Sequence, residues 1–277
     1  MNINQITMYL HQFKGTELRS NILDELSKLK SIAVNQGDQE EAKNIWCLEQ
    51  IYKVKNHFLS VYKNLVDKEF FQAWCELERA DIELHFLRMH LDYTGNKYNL
   101  DHIEKNLNQL PKLFPYKYFS SRESIVKNWT CSICNNVITL RNSCNHEVGE
   151  IYNGEQCCRI AGDIEFQAVA IVTDPFDKYG VLFPEGLEYN YAILENLMQN
   201  WTSPWEKWEY QISRDLIAEY NGLGRNNLCL CNSGIKYKNC CLKTGKNLHD
   251  HFKFLFHDKD PKDITNHAKQ TFNSWKN

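Results

Sequence analysis

Nine of the eleven cysteines in this 277-residue chain fall in two short stretches. Cys131, Cys134, Cys144, Cys157 and Cys158 lie within 28 residues, and Cys229, Cys231, Cys240 and Cys241 within 13. Cys47 and Cys75 stand apart, among apolar neighbours, where a buried core thiol is expected. An odd count would leave a complete disulfide framework with one over. The N-terminus, MNINQITMYLHQFKG, lacks the basic and long apolar regions of a secretory signal. No apolar run reaches the roughly eighteen residues that a membrane span needs. These features predict residence in a reducing cytoplasm, where clustered cysteines bind metal or do redox work more often than they form bridges.

The clusters divide the chain into a helical domain over 1–128, a β domain over 129–187, a Trp-rich helical segment over 188–222, and a small cysteine module with its tail over 223–277. The predicted class is α+β. No Gly or Pro interrupts the stretch between Gly37 and Gly95, so the strongest helix breakers are missing there. Ile45, Leu48, Ile51, Tyr52, Phe58 and Leu59 recur near helical spacing. Asp38 with Glu41 makes a capping-box pattern, and Asp67 with Glu69 marks another helix start. Helices are predicted near 16–35, 38–65, 68–92 and 100–110, forming an antiparallel bundle. Trp46-Cys47 and His57-Phe58-Leu59 recur 28 residues later as Trp74-Cys75 and His85-Phe86-Leu87, a faint echo that two amphipathic helices can also produce by chance.

From about residue 163 the pattern turns to β. Ile164–Val172 mixes alternation with an apolar run, and Tyr179–Phe183 is the expected return strand. Residues 188–221 read as helix, with Trp205 and Trp208 on one face and packed in the core. Phe252, Phe254 and Phe256 alternate as in a strand, beside a His249-Asp250-His251 triplet that lacks further nearby ligands.

Residues 224–241 read GRNNLCLCNSGIKYKNCC. Four thiolates in a C-x-C-x8-C-C pattern can converge on one tetrahedral ion. Cys229 and Cys231 would sit on a tight extended turn. Asn232-Ser233-Gly234 tolerates the left-handed conformations a reversal needs, and one helical turn then returns Cys240 and Cys241 to the ion. Residues 223–246 carry Arg225, Lys236, Lys238, Lys243 and Lys246 and no acid. A +5 module therefore sits on a body of −8, within a net charge of −3. Nearby cations favour thiolate over thiol.

This segment resembles the SEC-C motif, whose pattern is roughly GRNDPCPCGSGKKYKKCC. That motif is the zinc-binding element at the C-terminus of the SecA preprotein translocase, and it occurs in many bacterial proteins. Gly224, Arg225, Asn226, Cys229, Cys231, Ser233, Gly234, Lys236, Tyr237, Lys238, Cys240 and Cys241 match. Leu228 and Leu230 replace the usual prolines, Asn232 replaces Gly, and Ile235 replaces Lys. The resemblance covers about 20 residues and implies zinc at Cys229, Cys231, Cys240 and Cys241. In SecA the module contacts the chaperone SecB and is linked to ribosome or lipid contacts. No G-x4-G-K-[ST] sequence occurs here, so the motor activity does not carry over.

The middle cluster reads WTCSICNNVITLRNSCNHEVGEIYNGEQCCRI over 129–160. Cys131-x2-Cys134 has zinc-knuckle spacing, and Cys144-x-His146 follows after a strand-like Val137–Leu140. These four make a site of three thiolates and one imidazole, with Cys157 as an alternative to His146. A vicinal Cys157–Cys158 disulfide would close a strained ring. A thiol-exchange C-x2-C would need a helix after Cys134, and Asn135-Asn136 follows instead.

Two zinc ions per chain are thus expected. Four-ligand sites leave no open coordination position, which favours structure over catalysis. A non-enzymatic interaction or adaptor protein with a protein partner is the leading expectation. Nucleic-acid binding through Arg225, Lys236, Tyr237 and Lys238 is the alternative. A metalloenzyme is least supported: His146-Glu147 is adjacent rather than H-x-E, and no G-x-S-x-G, H-E-x-x-H or Rossmann glycine pattern is present.

Overall fold

The computed structural model describes residues 1–260, 264 and 270–276. The chain divides into two compact units. The first comprises 1–112 and 116–184, and the second 113–115 and 185–277. The class is α+β, as the sequence implies.

The first unit opens with α1 (Ile3–Gln12), α2 (Ile22–Asn35), α3 (Gln39–Val66), α4 (Phe70–Arg88) and α5 (Leu100–Gln109). α1 was not expected. Its signal is a capping box in which the Asn2 side chain accepts from the Gln5 amide and the Gln5 side chain accepts from the Asn2 amide. Asp38 caps α3 by accepting from the Glu41 amide at 3.0 Å, as its spacing predicts. α4 begins at Phe70, after a left-handed Lys68, rather than from Asp67. α3 is the central helix, with apolar side chains buried against α2 and α4. Trp46, Cys47, Trp74 and Cys75 are all buried, so the sequence echo falls on two packed neighbours. His57 joins two helices: its Nδ1 lies 2.6 Å from Glu76 Oε2, linking α3 to α4.

The same unit then forms β1 (Phe119–Cys131), β2 (Val137–Ile138), β3 (Ile151–Tyr152), β4 (Glu155–Gln156) and β5 (Arg159–Val172). β1 and β5 make one long antiparallel ribbon from Phe119↔Val172 to Cys131↔Arg159, with a bulge between Glu123 and Ser124. The partner of β5 is therefore β1 and not the expected 179–183 segment. That segment instead lies beside the start of β1, through Phe119↔Val181 and a bond from the Ser120 amide to the Gly180 carbonyl at 2.6 Å. Phe119 is buried against Trp74.

The second unit holds α6 (Ala192–Met198), β6 (Trp208–Leu216), α7 (Cys241–Thr244), β7 (Leu248–Phe256) and β8 (Gln270–Thr271), with sheet order β6-β7-β8. The helix expected over 188–221 is only the short α6. Residues 208–216 alternate Trp208, Tyr210 and Ile212 with polar residues, and nine register pairs with β7 make them strand. Trp205 and Trp208 hence share no helical face. Trp208 is buried with Trp201 and Phe254. Phe252, Phe254 and Phe256 bury one face of β7, as their alternation predicts. No described helix is long and apolar enough to cross a membrane.

Two candidate metal centres at hairpin tips

Both cysteine clusters occupy the same kind of place. The β1–β5 ladder ends at Cys131↔Arg159, and residues 132–158 form its tip. The β6–β7 ladder ends at Leu216↔Leu248, and residues 217–247 form the other. Segments this long with little secondary structure are rare in compact domains unless something ties them internally. The SEC-C-like segment is thus an insertion clamped at both ends by paired strands, not a trailing tail.

In the second unit, Leu228↔Lys236 forms a bridge, the Cys229 amide donates to the Ile235 carbonyl at 2.9 Å, and the Tyr237 amide donates to the Asn227 carbonyl at 2.8 Å. Asn232 and Gly234 take the left-handed φ values of 59° and 70° that the reversal requires. A 3-10 turn over Tyr237–Asn239 leads into α7. The ligand atoms of Cys229, Cys231, Cys240 and Cys241 consequently lie within 4.8 Å of one another. Cys231 Sγ is 3.4 Å from Cys240 Sγ, and Cys240 Sγ is 4.0 Å from Cys241 Sγ. Zn–S bonds of about 2.3 Å in a tetrahedron place sulfurs about 3.8 Å apart, so the set fits such an ion. Ser233 Oγ lies 3.1 Å from Cys240 Sγ. Burial disfavours the Cys229 thiolate, but the amides of Cys231 and Cys241 outweigh it and bring the thiol down to about 6. The Ser233 hydroxyl, with Cys240, lowers Cys231.

Tyr220, which spacing alone did not single out, supplies the module's floor. Its ring stacks on Tyr237 at 5.3 Å and 29°, and both pack against buried Cys229 and Cys241. Asn247 Nδ2 donates to the Tyr237 hydroxyl at 2.8 Å. Tyr237 is 4% exposed. It is therefore a core residue, and the expectation that it could stack on a base is corrected. Arg225, Lys236 and Lys238 are exposed. Leu228, Leu230 and Ile235, the apolar departures from the motif pattern, are 66%, 47% and 48% exposed.

In the first unit, the Asn135 amide donates to the Cys131 carbonyl and the Cys131 amide to the Asn136 carbonyl. With Asn135 left-handed at φ 57°, these bonds turn the chain so that Cys134 comes back beside Cys131. The ligand atoms of Cys131, Cys134, Cys144 and His146 lie within 4.8 Å of one another. Cys131 Sγ is 3.8 Å from His146 Nδ1, and equally 3.8 Å from Cys157 Sγ. Both distances suit neighbouring ligands of one ion, so Cys157 borders the set. His146 rests edge-on against Tyr152 at 4.6 Å. The Cys134 amide, chief among several groups, holds the Cys131 thiol down to about 6. Burial, reinforced by the neighbouring Cys131, pushes Cys157 up to about 11. Cys158 is exposed, and its backbone exchanges hydrogen bonds with Ser132.

The β3–β4 turn seats this tip on the helices. Gln39 bonds Asn153 at 2.6 and 2.9 Å, Lys30 bridges Glu49 and Glu155 at 2.7 and 2.8 Å, and His90 Nε2 meets the Gly149 carbonyl at 2.8 Å.

None of the eleven cysteines is joined in a disulfide. Among the described residues these two sets are the groups able to hold a metal ion. The His249-Asp250-His251 triplet is in neither, and Asp250 pairs with Arg214 at 2.8 Å. No match to a curated protein or to a solved structure was found. Residues 225–243 match the SEC-C motif family, and the chain therefore carries a SEC-C motif at the tip of its second hairpin.

Proposed function

We propose that this is a zinc-binding, non-enzymatic interaction protein with two structural zinc sites. Thiolate and imidazole donors suit zinc, and two closed four-ligand sets would cross-link loops rather than open a position to substrate. Such an ion would supply much of the folding free energy of each tip. In a reducing cytoplasm the thiolates would remain available for it.

The observation that carries the interaction reading is the surface of the SEC-C module. Leu228, Leu230 and Ile235 stand exposed there, flanked by exposed Arg225, Lys236 and Lys238. Exposed apolar side chains interspersed with cations suit an amphipathic, acidic protein segment. The test is affinity capture with Leu228→Ser/Leu230→Ser/Ile235→Lys beside the wild type, both zinc-loaded. A partner retained by the wild type and lost by the variant supports the reading; equal retention contradicts it.

The alternative, nucleic-acid binding, draws on the same three exposed cations. Its test is RNA and DNA affinity against salt, where phosphate contacts give a steep dependence. The inward-facing Tyr237 leaves that reading without its stacking residue.

A further inference from the structure

Among the described residues, little lies over either face of the β1–β5 ribbon. In an antiparallel ladder, directly paired residues share a face and successive residues alternate. The register places Val126, Ile160, Ile164, Phe166, Val169 and Ile171 on one face, together with Ser120, Arg122, Ser124, Asn128, Gly162 and Thr130 of both strands. Ile160, Ile164, Phe166, Val169 and Ile171 are 48–71% exposed. The opposite face is mixed: Ile125 and Trp129 stand there among Glu123, Lys127 and Glu165, with Lys127 and Glu165 paired at 2.8 Å. The more apolar side of this sheet therefore faces water. Two-stranded ribbons are marginal alone and are stabilised by a covering layer.

We infer that the covering layer is a second copy of the same face, packed about a twofold axis between Phe166 and Ile164. Self-complementarity is the first ground. An isologous contact needs each residue to meet its counterpart across the axis. Counting along β1 from Ile125 as centre, Phe166 (beside Ser124) faces the position of Ile164 (beside Val126). Ile171 (beside Ser120) faces Ile160 (beside Thr130), and Val169 (beside Arg122) faces Gly162 (beside Asn128). The Asn128 side chain lies over Gly162, so Val169 meets that amide. The other pairs along β5 are apolar on apolar, while along β1 Ser120, Arg122 and Ser124 face Thr130, Asn128 and Val126 as a largely polar border. The two sheets would pack about 10 Å apart, as stacked sheets do.

Area is the second ground. Thirteen residues at about 3.3 Å each, across two strands about 4.8 Å apart, give a face of roughly 400 Å² in projection. Its accessible surface is larger, because side chains stand up from the sheet. Two copies together lose on the order of 1,000 Å², the lower bound of a specific interface. The interface is expected to be of micromolar strength, at the low end of its class.

The test is sedimentation velocity of the zinc-loaded full chain up to about 100 µM, well above a micromolar dissociation constant. The wild type is expected to dimerise. Phe166→Lys and Ile164→Glu, each at a site exposed in the single chain, are expected to weaken dimerisation at least tenfold while keeping the zinc content unchanged. Mixing the two variants is expected to restore a dimer, since the lysine introduced in one chain would then face the glutamate introduced in the other. Ile125→Lys, on the opposite face, is expected to leave the dimer intact. A wild type that stays monomeric overturns the inference and leaves the face to a different protein. A dimer that survives Phe166→Lys, or a mixture that stays monomeric, overturns it by placing the contact elsewhere.

Discussion

Tyr237 decides whether the SEC-C module presents its aromatic ring or is built on it. The ring is 4% exposed and stacked on Tyr220. Replacing a buried aromatic by alanine costs about 3–5 kcal/mol. Tyr237→Phe keeps the stack but removes the acceptor of Asn247 Nδ2. Asn247 is itself 3% exposed, and its Oδ1 has no partner among the described residues. Leaving that buried amide unpaired costs about 1–2 kcal/mol. In a unit of under 100 residues each kcal/mol moves the melting temperature about 4–8 °C. Calorimetry of the zinc-loaded protein should therefore show the transition of the second unit lowered by roughly 5–15 °C in Tyr237→Phe and by more than that in Tyr237→Ala. Both variants melting like the wild type, with RNA affinity falling for Tyr237→Ala alone, would refute the core assignment.

Three further outcomes are expected. Lys55 is fully buried, its Nζ 3.5 Å from the Phe13 carbonyl, and burial, with Lys14 adding to it, brings it down to about 7. Unfolded, it titrates near 10.4, so between those values the unfolded chain holds the extra proton and stability rises with pH by up to about 1.4 kcal/mol per unit; urea unfolding of the first unit should show this slope, and Lys55→Met should flatten it. Gly154 has φ +69°, and an added Cβ would lie 2.5 Å from Lys30 Cδ; Gly154→Ala should cost about 1–3 kcal/mol and lower the melting of the first unit while both metals stay bound. In chelator competition, His146→Ala should weaken the middle site far more than Cys157→Ser, whose effect should stay within about tenfold; the reverse order would make Cys157 the fourth ligand.

The parts of this architecture that depend on local chemistry could be read from the sequence. α3 and α4 lack breakers and carry a helical apolar period, and the cysteine spacings fix which residues can meet. The left-handed Asn232 and Gly234 were legible because the reversal needs them. What depended on distant partners was not. Residues 119–131 contain only scattered strand formers, and they extend because β5, some forty residues on, offers a ladder. Trp208, Tyr210 and Ile212 alternate, yet the nearby tryptophans suggested a helix; β7 settles them as strand. The clamping of both clusters between paired strands, and the burial of Tyr237 beneath Tyr220, follow from those long-range pairings.

The central claim is that each hairpin tip holds its own zinc ion through its own four ligands. Elemental analysis of purified protein, repeated on Cys131→Ser and Cys229→Ser, addresses it most directly. Two zinc ions per chain are expected in the wild type and one in each variant, with loss at one tip leaving the other filled. One ion in the wild type, unaffected by Cys131→Ser, would remove the middle site; a metal other than zinc, or none, would contradict the claim as a whole.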